Sequence, residues 1–251
     1  MTGKVVVTGM VLSATAIGET DKRVVILTKE HGKISAFAKG AKKPTSSLLA
    51  CTNPFVFGEF ELFVGRNSMT ISKASVKNYF NEIQSDIEKI YYGLYALELA
   101  DYYSRENNDD YEILRLLYQT IKAFCNGLMP NELIKTVYEM KMLVINGEYP
   151  DCFSCRSCGS TEDITGFSYI LSGTVCNQCK STVSDYIELD SSTIYALQFI
   201  INSKPEKLFS FNLSEKVFFE LKRIVNHYLS NSVDVTLNSY LSLRELLEKP
   251  I

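Results

Sequence analysis

The chain has 251 residues, of which 46% are apolar and 22% are charged, and this composition excludes an intrinsically disordered protein. No segment approaches the roughly 18 consecutive apolar residues that a membrane-spanning helix needs, so the sequence predicts no membrane partner. The net charge of −3 is unevenly distributed: residues 1–80 carry 11 basic and 5 acidic side chains, whereas residues 81–251 carry 15 and 24, which predicts two domains with different partners.

The first residues admit two interpretations. Lys4, the apolar stretch 5–12 and the small residues 13–16 follow the order of a weak signal peptide. The apolar stretch is short, however, and Thr8 and Gly9 interrupt it, so a β-strand explains the same residues at least as well. We therefore expect a cytoplasmic protein.

Residues 1–80 have the pattern of a small β domain. β-branched and aromatic residues recur there without a helical period, and turn-forming residues separate them. The predicted strands cover residues 4–12, 23–28, 33–38, 55–64 and 69–76. Five short strands in about 75 residues suit a closed OB-fold barrel, and a small sandwich is the alternative.

From residue 81 the pattern changes to that of α-helices. Ser85-Asp86-Ile87-Glu88 has the form of a capping box and opens the first of them. Further helices are predicted over residues 111–125, 130–145, 191–201, 214–229 and 239–248. The predicted fold class is α+β and multidomain: an OB-fold over 1–80, then an all-α domain over 81–251 with an insert at about 150–185.

Four of the seven cysteines have the spacing of a zinc site. Cys155 and Cys158 form one C-x2-C pair, Cys176 and Cys179 form a second, and 17 residues separate the two pairs. Each pair directs two thiolates at one ion from a single turn, and two pairs complete a tetrahedron. Because four thiolates leave no position for water or substrate, we expect one structural Zn2+ per chain.

Cys152 leaves one alternative open, since Cys152 and Cys155 form another C-x2-C pair. The pair Cys155/Cys158 is preferred because Gly159 follows it, where backbone amides must turn towards the sulfurs. Disulfides would need an oxidising compartment, and the odd number of cysteines argues against them. The spacing also suits zinc better than a [4Fe–4S] cluster.

Basic residues of the first domain form a candidate DNA interface. Three lysines lie within the five residues 39–43, in a stretch that also contains glycine and is followed by proline. Such clusters bind phosphates through charge and counterion release. The candidate DNA-binding residues are Lys22, Arg23, Lys33, Lys39, Lys42, Lys43 and Arg66.

Phenylalanines of the same domain could add base stacking to this interface. Phe37, Phe55, Phe57, Phe60 and Phe63 are the candidates. Strand alternation, however, places Phe55, Phe57 and Phe63 on one face, and we therefore expect most of the five rings to fill the barrel.

The sequence lacks the motifs of common enzymes. It contains neither a phosphate-binding G-x-x-x-x-G-K-[ST] loop nor a G-x-S-x-G or H-E-x-x-H motif. Its two histidines, His31 and His227, are predicted in a hairpin turn and in a helix. Because no base, nucleophile and oxyanion site come together, we expect a protein without enzymatic activity and without catalytic residues.

The order and spacing of several segments together resemble the RecO family of bacterial recombination mediators. The resemblance covers nearly the whole chain, although each segment alone is weakly specific. The segments that carry it are 21–28, 32–44, 55–62, 147–159 with the two later cysteines, and 242–247.

This resemblance implies an N-terminal OB-fold, a helical domain and a zinc insert. It also implies binding of single- and double-stranded DNA, annealing of complementary strands and partnership with RecR in the RecF pathway of DNA repair. With RecR, family members load RecA onto DNA coated by single-stranded-DNA-binding protein (SSB), whose C-terminal tail docks on the helical domain. A cytoplasmic, nucleoid-associated protein is expected.

Two other functions stay open on the residues alone. The barrel could bind a partner protein, which would make the chain an interaction scaffold with little DNA affinity of its own. It could also bind RNA, as an RNA-binding zinc protein. Competition between DNA and RNA oligonucleotides separates the last hypothesis from DNA binding.

Overall fold

A computed structural model describes residues 3–248. The chain divides into two compact units, Met1–Asn131 with Thr236–Ile251, and Glu132–Val235. The first unit holds the β-barrel, and the second holds the cysteine-rich segment, residues 151–188. No helix of residues 3–248 is long and apolar enough to cross a membrane.

Five strands close the barrel of the first unit in the order β1-β2-β3-β5-β4. The strands are β1 (Gly3–Ile17), β2 (Asp21–Thr28), β3 (Gly32–Ala38), β4 (Phe57–Val64) and β5 (Met69–Asn78), with the short helix α1 (Leu48–Cys51) between β3 and β4. A β1-β2-β3 meander, a parallel β3–β5 pairing and a β4 strand beside β1 form the OB-fold. The predicted fold class is confirmed.

The first strand runs further than the sequence predicted because it has two neighbours. Its first half, Gly3–Met10, pairs with β4, and its second half, Gly9–Ile17, pairs with β2. A register shift between Val11 and Ser13 lets the strand bend from one partner to the other. The bend allows a single strand to close the barrel.

Aliphatic side chains from all five strands fill the barrel, with Phe60 and Leu62 on the inward face of β4. The expectation that Phe55, Phe57 and Phe63 share the inward face was wrong. Alternation places Phe60 and Leu62 inward, so Phe63 points outward and is 50% exposed. Phe55 is buried, but it precedes β4 and is not part of a strand.

Within the described residues, six longer helices follow the barrel. They are α2 (Ile87–Tyr103), α3 (Tyr111–Asn126), α4 (Asn131–Ile145), α5 (Ser191–Asn202), α6 (Glu215–Ser232) and α7 (Asn238–Glu248). Asp86 caps α2, accepting hydrogen bonds from the backbone N–H groups of Glu88 and Lys89, so the cap lies one residue after the serine of the predicted capping box. Ser214 caps α6, and its side chain accepts a hydrogen bond from the backbone N–H of Val217.

The cysteine-rich segment contains a small sheet that the sequence pattern did not predict. Its strands are β6 (Ile164–Ser168), β7 (Gly173–Cys176) and β8 (Ile187–Glu188), in the order β7-β6-β8. Strands of two to five residues are too short to show a period of two. The sheet matters because Cys176, a predicted zinc ligand, is the last residue of β7.

Candidate nucleic-acid interface and metal centre

Two turns bring four cysteines together in the second unit. The backbone N–H of Gly159 donates to the carbonyl of Cys155, and the N–H of Cys179 donates to the carbonyl of Cys176. Gly159 has a φ of +79°, a conformation that glycine adopts without strain. Each C-x2-C pair is therefore held in the tight turn that directs both sulfurs to the same side.

The sulfur atoms of Cys155, Cys158, Cys176 and Cys179 all lie within 4.8 Å of one another. Those of Cys158 and Cys176 are 3.7 Å apart. A regular tetrahedron with Zn–S bonds of about 2.3 Å has S–S edges of about 3.8 Å. The four thiols thus fit a tetrahedral metal ion of the size of Zn2+.

Two of the four thiols, those of Cys155 and Cys179, have pKa values shifted in opposite directions. Burial opposes ionisation of Cys155, but backbone N–H groups of Cys176, Cys158 and Ser157 lower its pKa to about 6. At Cys179 a hydrogen bond with Ser157 lowers the pKa, whereas the neighbouring thiols, with burial, raise it to about 12. Opposite pKa shifts are expected where several thiols lie close together, because the first thiolate disfavours ionisation of the neighbouring thiols. A divalent cation removes this repulsion.

Cys152 lies outside this cluster. Its side chain is fully buried, and its Sγ is 3.6 Å from the carbonyl oxygen of Pro150. Burial raises the pKa of Cys152 to about 12, with a smaller contribution from Asp151. A buried thiol with such a pKa has the properties of a small apolar side chain.

On the barrel, the predicted DNA-binding residues fall into groups with different surroundings. Lys22 is half-buried, and its Nζ donates to the side chain of Asn53 at 2.9 Å and to the carbonyl of Leu49 at 3.3 Å. Lys33 donates to the backbone carbonyl of Asp101 at 2.6 Å and pairs with its carboxylate at 3.1 Å. Both ammonium groups therefore already hold protein partners.

Arg23 and Arg66 differ from these lysines. Both are exposed, and both line a pocket of about 630 Å3 beside the loop between β4 and β5. Arg23 donates through Nε to the hydroxyl of Ser35 at 2.8 Å. Lys33 and Phe37 line the same pocket, and Glu106 is its acidic lining residue. In OB-folds, this face of strands β2 and β3 with the β4–β5 loop is where oligonucleotides bind.

The lysine-rich loop is anchored to the turn between β1 and β2. The carboxylate of Asp21 accepts hydrogen bonds from the backbone N–H of Gly40 at 2.7 Å and from the Thr20 hydroxyl at 2.9 Å. The Nζ of Lys42 donates to the carbonyl of Gly18 at 3.2 Å. The side chains of Lys39 and Lys43 are exposed. Asp21, the first residue of β2, was not among the predicted site residues, although an aspartate at a turn often accepts hydrogen bonds from nearby backbone N–H groups.

Two family models match the chain. A model described as Recombination protein O N terminal matches residues 1–80. A second, described as Recombination protein O C terminal, matches residues 84–241. Together the two matches cover nearly the whole chain.

Relatives of similar length match it as well. A protein named DNA repair protein RecO from Acetivibrio thermocellus is 31% identical over 227 residues, which are 90% of this chain and 90% of the relative. Another of that name, from Alkaliphilus metalliredigens, is 30% identical over 92% of this chain and 95% of its own length. A third, from Listeria welshimeri, is 29% identical over 95% of this chain and 93% of its own. The chain therefore belongs to the RecO family.

Proposed function

We propose that the chain is a DNA repair and homologous-recombination mediator. It binds single- and double-stranded DNA, anneals complementary strands and, together with RecR, helps RecA load onto SSB-coated DNA. The SSB C-terminal tail is a further partner, and the protein acts in the cytoplasm at the nucleoid by binding rather than by covalent chemistry. Membership of a family whose members are named DNA repair proteins supports this proposal.

The observation that carries the DNA-binding part is the group of cations around one pocket of the OB barrel. Arg23, Lys33 and Arg66 line this pocket together with the carboxylate of Glu106, and the Lys33 ammonium is also paired with the carboxylate of Asp101. In the described part of the chain, the Arg66 guanidinium has no hydrogen bond or ion pair. An exposed cation without a carboxylate partner is available for a phosphate.

We further propose a division of roles among the seven basic residues. Lys39, Lys42, Lys43, Arg23 and Arg66 contact phosphates, whereas Lys22 and Lys33 contribute positive potential from positions that their protein partners fix. In this proposal residues 1–80 are the nucleic-acid-binding domain. Residues 81–251 are the helical domain, and its insert at about 150–185 holds one structural Zn2+ through the four clustered cysteines.

Salt dependence tests the DNA-binding proposal. Each lost phosphate contact lowers the log–log slope of affinity against salt by about 0.7 for a single strand and about 0.9 for a duplex. The variant Lys39→Ala/Lys42→Ala/Lys43→Ala should therefore reduce the slope by roughly 2 to 3 and weaken binding to all sequences about equally. Fluorescence anisotropy at several salt concentrations measures both quantities.

A matched control removes the same charge elsewhere. Lys122, Lys204 and Lys207 are exposed and lie outside the barrel, and replacing all three with alanine should leave the slope unchanged. An unaltered slope in the loop variant would exclude the lysine loop from the interface. If the wild-type protein binds no oligonucleotide in dilute buffer, the mediator proposal is wrong.

A further inference from the structure

The outer surface of the barrel carries two exposed aromatic rings in one row. Phe63 on β4 and Phe37 on β3 are 50% and 38% exposed, respectively. Both are register partners of the same residue, Thr70 on β5. The two rings therefore lie two strands apart, about 10 Å at the usual strand spacing.

A basic residue on the adjacent strand lies next to each ring in the same row. Lys4 on β1 is the register partner of Phe63, and Arg23 on β2 is the register partner of Phe37. Both basic residues are exposed. The outward row thus reads Lys4, Phe63, Thr70, Phe37, Arg23 across the five strands.

We propose that this row is a platform for the bases of single-stranded DNA, with Phe37 and Phe63 each stacking on one base. The inference rests on the proposed function and adds the two residues that distinguish a single strand from a duplex. Aromatic rings bind unpaired bases without sequence preference, because every base has a flat π surface. The flanking cations match the anionic backbone of such a strand.

The geometry favours a single strand over a duplex. In a duplex the flat faces of the bases are covered by their neighbours in the stack, so they cannot lie against an exposed ring. An unstacked strand extends further per nucleotide than the rise of about 3.4 Å in a stacked helix, so a few nucleotides span the roughly 10 Å between the two rings.

The test distinguishes stacking of bases on the two rings from attraction of the phosphates by the basic residues. The double variant Phe37→Leu/Phe63→Leu keeps an apolar side chain at both positions but removes both rings. The double variant Phe37→Tyr/Phe63→Tyr keeps the rings. For each ring that is removed, we expect the affinity for a 15-mer of thymidines to fall about tenfold, which corresponds to about 1.4 kcal/mol of binding free energy. The tyrosine variant should stay within about threefold of wild type.

Two DNA ligands serve as controls. An abasic strand of the same length keeps the phosphates without bases, and a duplex closed by hairpins at both ends exposes no terminal base pair. Affinity for both should change less than about threefold in the leucine variant. Arg66→Met, in contrast, should weaken binding to all three ligands, because it removes a phosphate contact.

A spectroscopic measurement reports on the contact itself. The chain contains no tryptophan, so Phe63→Trp introduces a single indole. Thymidine oligonucleotides should quench its fluorescence on binding, and the abasic strand should not.

Several outcomes would overturn the platform. Wild-type affinity of the leucine variant for the thymidine strand, with Arg66→Met still impaired, would refute the stacking role and leave DNA binding by the barrel intact. The stacking role would also be refuted if the fluorescence of Phe63→Trp stayed unquenched while anisotropy showed that the variant was bound to the thymidine strand. A changed sedimentation coefficient of the leucine variant without a change in DNA affinity would assign the rings to contacts between copies of the chain. Absence of all binding by the wild type would instead refute the proposed function.

Discussion

Lys22 and Arg23 are neighbours in sequence, but the structure predicts different effects when each is replaced. In β2 they point to opposite sides: Arg23 lies outward beside Ser35, whereas Lys22 shares the side of the inward-facing Val24 and reaches the segment after α1. Burial lowers the pKa of Lys22, as expected for an ammonium partly removed from water. Lys22→Met should therefore reduce stability, and Arg23→Met should reduce DNA binding.

The size of the effect follows from the contacts of the Lys22 ammonium. Its Nζ lies 2.9 Å from Asn53 Oδ1, 3.3 Å from Leu49 O and 3.4 Å from Thr52 Oγ1. A hydrogen bond to a charged group contributes about 1.5–3 kcal/mol, and two of these contacts are long. Water can replace them at this half-buried position, so Lys22→Met should lower the free energy of unfolding by about 1–2 kcal/mol.

Thermal unfolding followed by circular dichroism measures this loss as a fall in Tm of several degrees, on the order of 3–6 °C. Hydrogen exchange of residues 47–53 should rise in the same variant. Lys73→Met is the control, because its Nζ lies 3.8 Å from Glu61 at an exposed site and such pairs contribute little. Unchanged stability of Lys22→Met, together with a loss of DNA affinity equal to that of Arg23→Met, would refute the reasoning.

Three further predictions concern the core, the metal centre and the lysine loop. Phe60 is fully buried in the barrel, so Phe60→Ala should cost about 3–5 kcal/mol in urea unfolding, and a cost below about 1 kcal/mol would contradict the barrel packing. Metal analysis should find roughly one zinc per chain in the wild type and in Cys152→Ser but not in Cys158→Ser, which should also speed hydrogen exchange of residues 151–188; the reverse result would favour the other ligand set. The Gly40 N–H, then the Thr20 hydroxyl, lower the pKa of Asp21 below its ordinary 3.8, so its stabilisation of the loop is present above 3.8 and is lost as pH falls through the lowered pKa. Asp21→Asn should abolish this acid transition in the hydrogen exchange of residues 39–43, and an unchanged transition would assign it to another carboxyl group.

Much of the barrel could be predicted because short β-branched and aromatic stretches are separated there by turn-forming residues. The turns at glycine and the β-branched stretches identified five strands, and their number and length indicated the OB-fold. The inward face of β4 was assigned wrongly because phenylalanine occurs on both of its faces, at Phe60 and at Phe63. Side-chain hydrophobicity alone cannot distinguish the faces of such a strand.

The cysteine cluster could be predicted from the spacing of its pairs and from Gly159, whereas the small sheet around it could not. Two C-x2-C pairs impose a geometry that depends little on the rest of the chain. The sheet β7-β6-β8 depends on pairing between segments such as Ile164–Ser168 and Gly173–Cys176. Pairs of this kind leave no local signal in strands of so few residues.

The sequence by itself determined the β-rich and helical parts, the uneven charge and the four cysteines that cluster, because these depend on local pattern and residue type. Only the tertiary structure decided which basic residues stay available for a phosphate. It tied Lys22 to the segment after α1 and Lys33 to Asp101, and left Arg66 unpaired among the described residues. Strand pairing likewise placed Phe37 and Phe63 on either side of Thr70. Hydrogen-bond partners and register join residues distant in the chain, so neighbouring sequence cannot specify them.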